Sequence, residues 1–340
     1  MTLPSYRPAW WLPGPHLQTL WGRIARRAPA TPTRVERWDT PDGDFIEVHR
    51  LDGAPASPRL VLLHGLEGSP RSHYAAGLFA QAAGRGWAMD ALVFRSCGDE
   101  PNRLLRSYHS GETGDIDFVI RRLVREEPDR PLLLAGVSLG GNVLLKWLGE
   151  QHAHAPRAVT AAAAVSVPFD LARSARHIDR GFARVYQAHF LHSLRRKASE
   201  KQRRFPNALT PGAIDRANTI WAFDDAITAP IHGFRDAVDY YARSSSLGFL
   251  ASVRVPTLLL SAVDDPFLPA DVLRQAATIA ALNPALTTQL TPRGGHVGFV
   301  SGPPWSPRYY LEERVVAFLD ERLRAARAGA PSPASASAGR

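Results

Sequence analysis

Gly136-Val137-Ser138-Leu139-Gly140 sets a serine between two glycines. Between a strand and a helix, such a pentapeptide turns sharply enough to lift the hydroxyl clear of the chain, and it brings the next backbone N–H to a helix start where a negatively charged oxygen can be stabilised. The spacing alone is a weak signal, and its context carries the discrimination. A serine hydroxyl becomes a nucleophile only beside a base, and the base needs an acid to hold its tautomer. His296, in Gly294-Gly295-His296, stands where two glycines leave room for an imidazole to turn inward. Asp265 follows the apolar run beginning at Thr257; its neighbour Asp264 competes for the role, but Asp265 has the better register, preceding Pro266 and standing four residues before Pro269. The order Ser138, Asp265, His296 differs from the orders of the two main serine-protease folds. His64-Gly65-Leu66-Glu67-Gly68 supplies the second oxyanion donor, assigned to the backbone N–H of Leu66 beside that of Leu139. His64 itself reads as a structural residue holding the loop.

Those residues can converge only if each sits at the C-terminal end of a strand in one sheet. The sequence provides such strands. Leu60 to Leu63 is wholly apolar and ends at His64; Ala88 to Phe94, Leu132 to Ala135, Val159 to Val165, Thr257 to Leu260 and Leu286 to Leu290 repeat the pattern. Helix-length segments alternate with them at Tyr74 to Ala83, Asp115 to Arg125, Gly141 to Leu148, Val272 to Ala281 and Arg308 to Arg324. Continuous apolar strands between helices indicate a doubly wound, mostly parallel α/β sheet covered on both faces. Val35 to Trp38 and Phe45 to Arg50 read as an N-terminal hairpin about Asp42-Gly43. From about residue 169 to 246 no strand-like run occurs, and helical, aromatic sequence predicts a cap inserted into one domain. The domain then runs from 31 to 327, with a core of 31–168 and 247–327, an N-terminal extension over 1–30 and a disordered tail over 328–340.

The chain has 340 residues, 45% of them hydrophobic and 21% charged, which suits a globular protein with a full-sized core. Its net charge of +9 raises the question of nucleic acid, but the 41 basic residues include only Lys146, Lys197 and Lys201 as lysines and are otherwise dispersed arginines. No nucleic-acid-binding motif accompanies them, so nucleic acid is not expected as a partner. Cys97 is the single cysteine, which precludes an intramolecular disulfide or a thiolate zinc site and suits a reducing, cytoplasmic setting. The first residues lack a secretory pattern. The longest apolar stretch, 131 to 145, is broken by Gly136, Gly140 and Gly141 and is too short to span a bilayer. His152 with His154, or His189 with His192, lack the further ligands that a metal needs, so no metal or cofactor is expected.

Longer stretches carry a resemblance: Trp11-Leu12-Pro13-Gly14-Pro15-His16-Leu17-Gln18-Thr19-Leu20, the segment His64 to Gly68, Glu100-Pro101-Asn102-Arg103 with Tyr108-His109-Ser110-Gly111-Glu112-Thr113, Gly136 to Asn142, Asp264-Asp265-Pro266-Phe267, and Gly294-Gly295-His296-Val297-Gly298-Phe299. From about residue 8 to 320 the chain resembles the YheT-like α/β-hydrolases, a family with mammalian membrane-associated relatives that have phospholipase activity. The resemblance implies the α/β-hydrolase fold, Ser138 as nucleophile, His296 as base, an acid from the Asp264/Asp265 pair, and carboxylic esters of short to medium acyl chains as substrates. It departs at Phe94-Arg95-Ser96-Cys97-Gly98-Asp99-Glu100, where similar proteins more often read Arg-Gly-Cys-Ser-Gly-Glu. The resulting expectation is a serine esterase acting on a small-molecule acyl ester without a cofactor. A thioesterase or acyltransferase on the same triad, or a non-catalytic binding protein of that fold, are the alternatives.

The insertion carries Phe169, Phe182, Tyr186, Phe190, Trp221, Phe223, Phe234, Tyr240 and Tyr241. Some should line an acyl pocket, with Trp221 an example, and more than half should glue the cap to the core. Arg195, Arg196, Lys197, Lys201, Arg203 and Arg204 read as a solvated helix face. Leu17, Leu20, Trp21 and Ile24 fall at helical spacing near Arg23, Arg26 and Arg27, and docking against the body is favoured over peripheral membrane contact.

Overall fold

The computed structural model describes residues 5–26 and 31–329. Arg27, and the predicted tail from residue 330 onward, lie outside them. The chain enters through α1 (Pro15–Ile24) and makes an antiparallel hairpin of β1 (Arg34–Asp39) and β2 (Phe45–Leu51), with Gly43 at φ +83° in the turn. It then alternates through β3 (Arg59–Leu63), α2 (His73–Ala83), β4 (Ala88–Val93), α3 (Gly114–Glu126), β5 (Leu132–Val137), α4 (Leu139–Gln151) and β6 (Val159–Val165). No strand lies between β6 and β7 (Thr257–Ala262). That stretch holds α5 (Leu171–Ile178), the long α6 (Ala183–Arg204), several short helical turns and α7 (Ala237–Ser244). After β7 come α8 (Ala270–Ala281), β8 (Leu286–Thr291) and α9 (Tyr310–Gly329). The last helix runs past the predicted end at Arg324 into residues expected to be tail, because Ala325, Ala326 and Ala328 have high helix propensity.

The eight strands form one sheet in the order β1-β2-β4-β3-β5-β6-β7-β8, with β3 through β8 parallel and the hairpin added antiparallel through β2. Alternation along each central strand divides the core between two faces. Val61 and Leu63 of β3, with Leu132 and Leu134 of β5, pack beneath α3, α4 and α8. Leu60 and Leu62, with Leu133 and Ala135, pack beneath α2 and α9. Both faces being covered, the strands are buried end to end, which is why the sequence shows apolar runs there instead of alternation.

The segment that departs from the family pattern holds a buried arginine. The Arg95 guanidinium donates to Asp115 at 2.7 and 2.9 Å and to Asp42 at 2.8 Å, fastening the hairpin turn to the end of β4. Burial disfavours the ionised Asp115 carboxyl and raises its pKa, even with that guanidinium against it. No helix among the described residues is long and apolar enough to cross a membrane.

Candidate active site

Ser138 stands directly after β5 and before α4, in a backbone of φ +54° and ψ −120° that few non-glycine residues adopt. The flanking glycines are sterically required. A Cβ on Gly140 would lie 2.3 Å from the carbonyl oxygen of Leu63, and one on Gly136 would lie 2.5 Å from that of Gly140. The strained turn is anchored by the Ser138 N–H, which donates to Val165 O at 2.8 Å on the neighbouring strand.

Loops at the ends of two further strands bring the other groups to it. His296, past β8, places Nε2 3.0 Å from Ser138 Oγ. Asp265, past β7 and fully buried at its carboxylate, accepts the His296 Nδ1 proton at 2.8 Å through Oδ2, which leaves Nε2 free to accept from the serine. Its second oxygen accepts the Phe267 N–H at 2.9 Å, and the Phe267 ring stacks on the imidazole at 4.1 Å between centroids. Asp264 faces another way and accepts the Gly295 N–H at 3.0 Å; burial raises its pKa. The two adjacent aspartates therefore differ in partner: Asp265 meets the imidazole and Asp264 holds the loop that carries it.

The loop from His64 to Gly68 abuts the serine, since a Cβ on Gly65 would lie 3.3 Å from that of Ser138. Gly65, Glu67 and Gly68 donate their N–H groups to Tyr74 Oη, Tyr108 Oη and Gly65 O. Among the described residues, the N–H groups of Leu66 and Leu139 have no such acceptor, so both are available to a substrate oxygen. His64 holds the loop from below. Its Nε2 accepts the Phe94 N–H at 3.1 Å and its Nδ1–H donates to Gly65 O at 2.8 Å, while burial pushes its pKa down to about 4.

The sequence did not single out Thr19 or Gln18 as part of this arrangement. The His296 N–H donates to Thr19 Oγ1 at 2.9 Å, and the buried Gln18 both accepts the Val300 N–H and donates to Val300 O. A Cβ on Gly295, at φ +61°, would lie 2.4 Å from Pro15 O, so α1 sits directly on the histidine loop. Docking of α1 to the body fits this geometry, although Leu17 and Ile24 point outward. Nothing local in the sequence pairs residue 19 with residue 296.

A cavity of about 1190 Å³ opens above Ser138 and His296, walled by Phe182, Tyr186, Phe190 and Phe223 from the helical segment and by Phe267 from the core. Trp221 lies off this cavity, contrary to expectation. It packs on Tyr241 at 5.1 Å and beneath the Arg176 guanidinium, because its short helix turns Ile220 and Phe223 toward the cavity instead. The basic cluster on α6 divides: Arg196, Arg203 and Arg204 are exposed, as the solvated reading expects, while the two lysines depart from it. Lys201 is buried and donates to Arg106 O at 3.2 Å, Lys197 pairs with Glu67, and Arg204 donates to Asn102 O. Among the described residues no group of three or more His, Cys, Asp or Glu side chains is placed to hold a metal.

Comparison with known proteins places this geometry in context. Residues 58–303 match the family model described as the alpha/beta hydrolase fold. The candidate esterase YheT of Escherichia coli (strain K12) is 41% identical over 315 residues, 91% of each chain. The phospholipase ABHD3 of Mus musculus is 29% identical over 309 residues, covering 88% of this chain and 74% of its own. Among solved structures, the Pyrococcus furiosus esterase Pf2001 superposes with a TM-score of 0.58 at 15% identity, over 86% of this chain and 92% of that one, which shows a shared fold.

Proposed function

The chain belongs to the α/β hydrolase fold family and to its YheT-like branch, and from that premise we propose that it is a serine carboxylic-ester hydrolase using Ser138, His296 and Asp265. The observation that carries this reading is the unbroken hydrogen-bonded chain from Ser138 Oγ through both ring nitrogens of His296 to Asp265 Oδ2, lying under a cavity with apolar walls.

His296 Nε2 takes the Ser138 proton as Oγ bonds to the ester carbonyl carbon. The carbonyl oxygen, now negative, accepts from the N–H groups of Leu66 and Leu139. Collapse of that intermediate breaks the bond to the alcohol oxygen, which leaves with the proton from Nε2, and the acyl group stays on Oγ. Water then loses a proton to Nε2, attacks the acyl carbon and releases the acid, restoring Ser138 Oγ–H. Asp265 holds the imidazole tautomer throughout. No cofactor enters these steps. The substrate is a small acyl ester of short to medium chain, as the family resemblance suggests, and acylglycerol or phospholipid esters are the class that the named relatives suggest. A cytoplasmic setting belongs to the same reading, supported by a single cysteine that makes no disulfide.

The test is Ser138→Ala assayed on p-nitrophenyl esters and with a fluorophosphonate probe. Activity and labelling should both vanish while the unfolding temperature holds, and labelling of the variant at the wild-type rate would remove Ser138 from the mechanism. Hydroxylamine or a thiol ester added in competition reads the acyltransferase and thioesterase outcomes.

A further inference from the structure

Glu67 follows the oxyanion donor Leu66 and sits at φ +53°, in the left-handed region that a residue of its shape occupies only when held there. Three side chains hold it. Tyr108 Oη accepts the Glu67 N–H at 2.9 Å and donates back to Glu67 Oε1 at 2.8 Å. From α6, Lys197 Nζ donates to the same oxygen at 2.7 Å and Ser193 Oγ donates to Oε2. The carboxylate side chain is only 8% exposed, so its charge is satisfied almost wholly by these donors. Two of the three come from the helical segment and one from the core, and their shared acceptor is one residue from the N–H that would meet the oxyanion.

Resting on the esterase reading above, we propose that Glu67 is a positioning residue: its carboxylate, held by Ser193 and Lys197 of α6, fixes the direction of the Leu66 N–H, so the oxyanion site is set only when the helical insertion is seated on the core. The Leu66 N–H lies in the 65–66 peptide plane and the Glu67 N–H in the next, and the two rigid planes meet at the Leu66 Cα. Release of Glu67 frees the 66–67 plane to turn from φ +53°, and the 65–66 plane that carries the Leu66 N–H loses its anchor on that side, keeping only the hold of His64 and Gly68 on the Gly65 carbonyl. The insertion would then act on the chemistry as well as on substrate size.

The discriminating variant is Glu67→Gly. Glycine adopts φ +53° without penalty but leaves it as readily, so E67G deletes the grip and frees the turn without introducing a clash. With p-nitrophenyl butyrate, kcat should fall roughly 10- to 100-fold, short of the roughly 10²- to 10³-fold that removing an oxyanion donor outright costs, with KM within about threefold of wild type. Affinity for a trifluoromethyl ketone, which forms the oxyanion, should fall by the same factor as kcat/KM, while affinity for butan-1-ol, which has no carbonyl oxygen to carry that charge, stays unchanged. Lys197→Met should lower kcat less, and the double variant should be no slower than E67G. Wild-type kcat in E67G, a loss confined to KM, or multiplying losses in the double variant would each overturn the proposal. These outcomes are separable from failure of the esterase reading, in which the wild-type protein itself would neither hydrolyse esters nor label at Ser138.

Discussion

Ser138, Asp265 and His296 all stand within five residues of a strand's C-terminal end, while the walls above them come from α1, the 64–74 loop, the 107–110 loop and the helical segment between β6 and β7. At the sheet edge, position is set by backbone: parallel ladders fix where each loop starts, and strained residues such as Ser138 and Val297 (φ +58°) are held by hydrogen bonds to Val165 at the end of β6 and to Ser166 just after it. In the walls, position is set by side-chain packing, as where Phe267 meets Tyr186 and Phe190. The edge should therefore control whether a bond breaks and the walls which chain is accepted.

Asp265→Asn makes the strongest demand on this division. Loss of the correct tautomer should lower kcat by about 10⁴-fold, as in other triads, whereas Asp264→Asn, whose amide oxygen can still accept from Gly295, should cost less than about tenfold. Measuring kcat for both on one ester decides the matter, and the opposite ranking would make Asp264 the acid. Thr19→Val removes the acceptor of the His296 N–H and should lower kcat by about tenfold, the scale of one lost hydrogen bond, with KM steady. A change in KM alone would leave α1 a wall element with no part in setting the histidine.

Wall substitutions should leave the chemistry standing. Phe190→Ala should move the optimal acyl chain about two carbons longer, a change of roughly tenfold in relative kcat/KM at about 0.8 kcal/mol per buried CH₂, with the acetate ester still turned over. Trp221→Ala, off the cavity, should leave the chain-length profile where it is and lower only the unfolding temperature. A shift in that profile with Trp221→Ala would show that the whole insertion tunes the cavity through its packing.

The smallest effect separates the two regions by pH. His64, under the edge, is pushed down to about 4 by burial, so the unfolded chain binds its proton first and the protein should lose stability as pH falls from about 6.5 through 4. Asp224, buried in the insertion and accepting from Thr228 and Tyr241, is pushed up to about 6 by burial. Its contribution is present below about 3.8, the unfolded value, and is lost as pH rises through 6. Unfolding temperatures across pH 4 to 7 should therefore show His64→Gln flattening the acid-side fall and Asp224→Asn flattening the opposite slope.

Much of the edge was legible in the sequence because it is local. A glycine-flanked serine, a pair of aspartates before Pro266 and a histidine after two glycines each announce a turn at a strand end, and apolar runs mark the buried strands. The walls were not legible for the same reason inverted. Which face of a four-residue helix carries Trp221 depends on what packs against it, and Lys197 and Lys201 read as solvated because their acceptors, Glu67 and the carbonyl of Arg106, lie 130 and 95 residues away. The Thr19 contact spans 277 residues, beyond any periodicity.

That span has a consequence for the order of events during synthesis. At the roughly 5 to 20 residues per second of translation, α1 emerges about 15 to 55 s before the loop it must brace, and in that interval Trp21 can meet Trp11 but lacks Val300, while Leu20 lacks Ile178 and Tyr186. The histidine loop, for its part, cannot settle until the oldest segment of the chain has been kept available for it. Esterase activity in a translation reaction should therefore appear after full-length chains do, with a lag that lengthens when α1 is weakened.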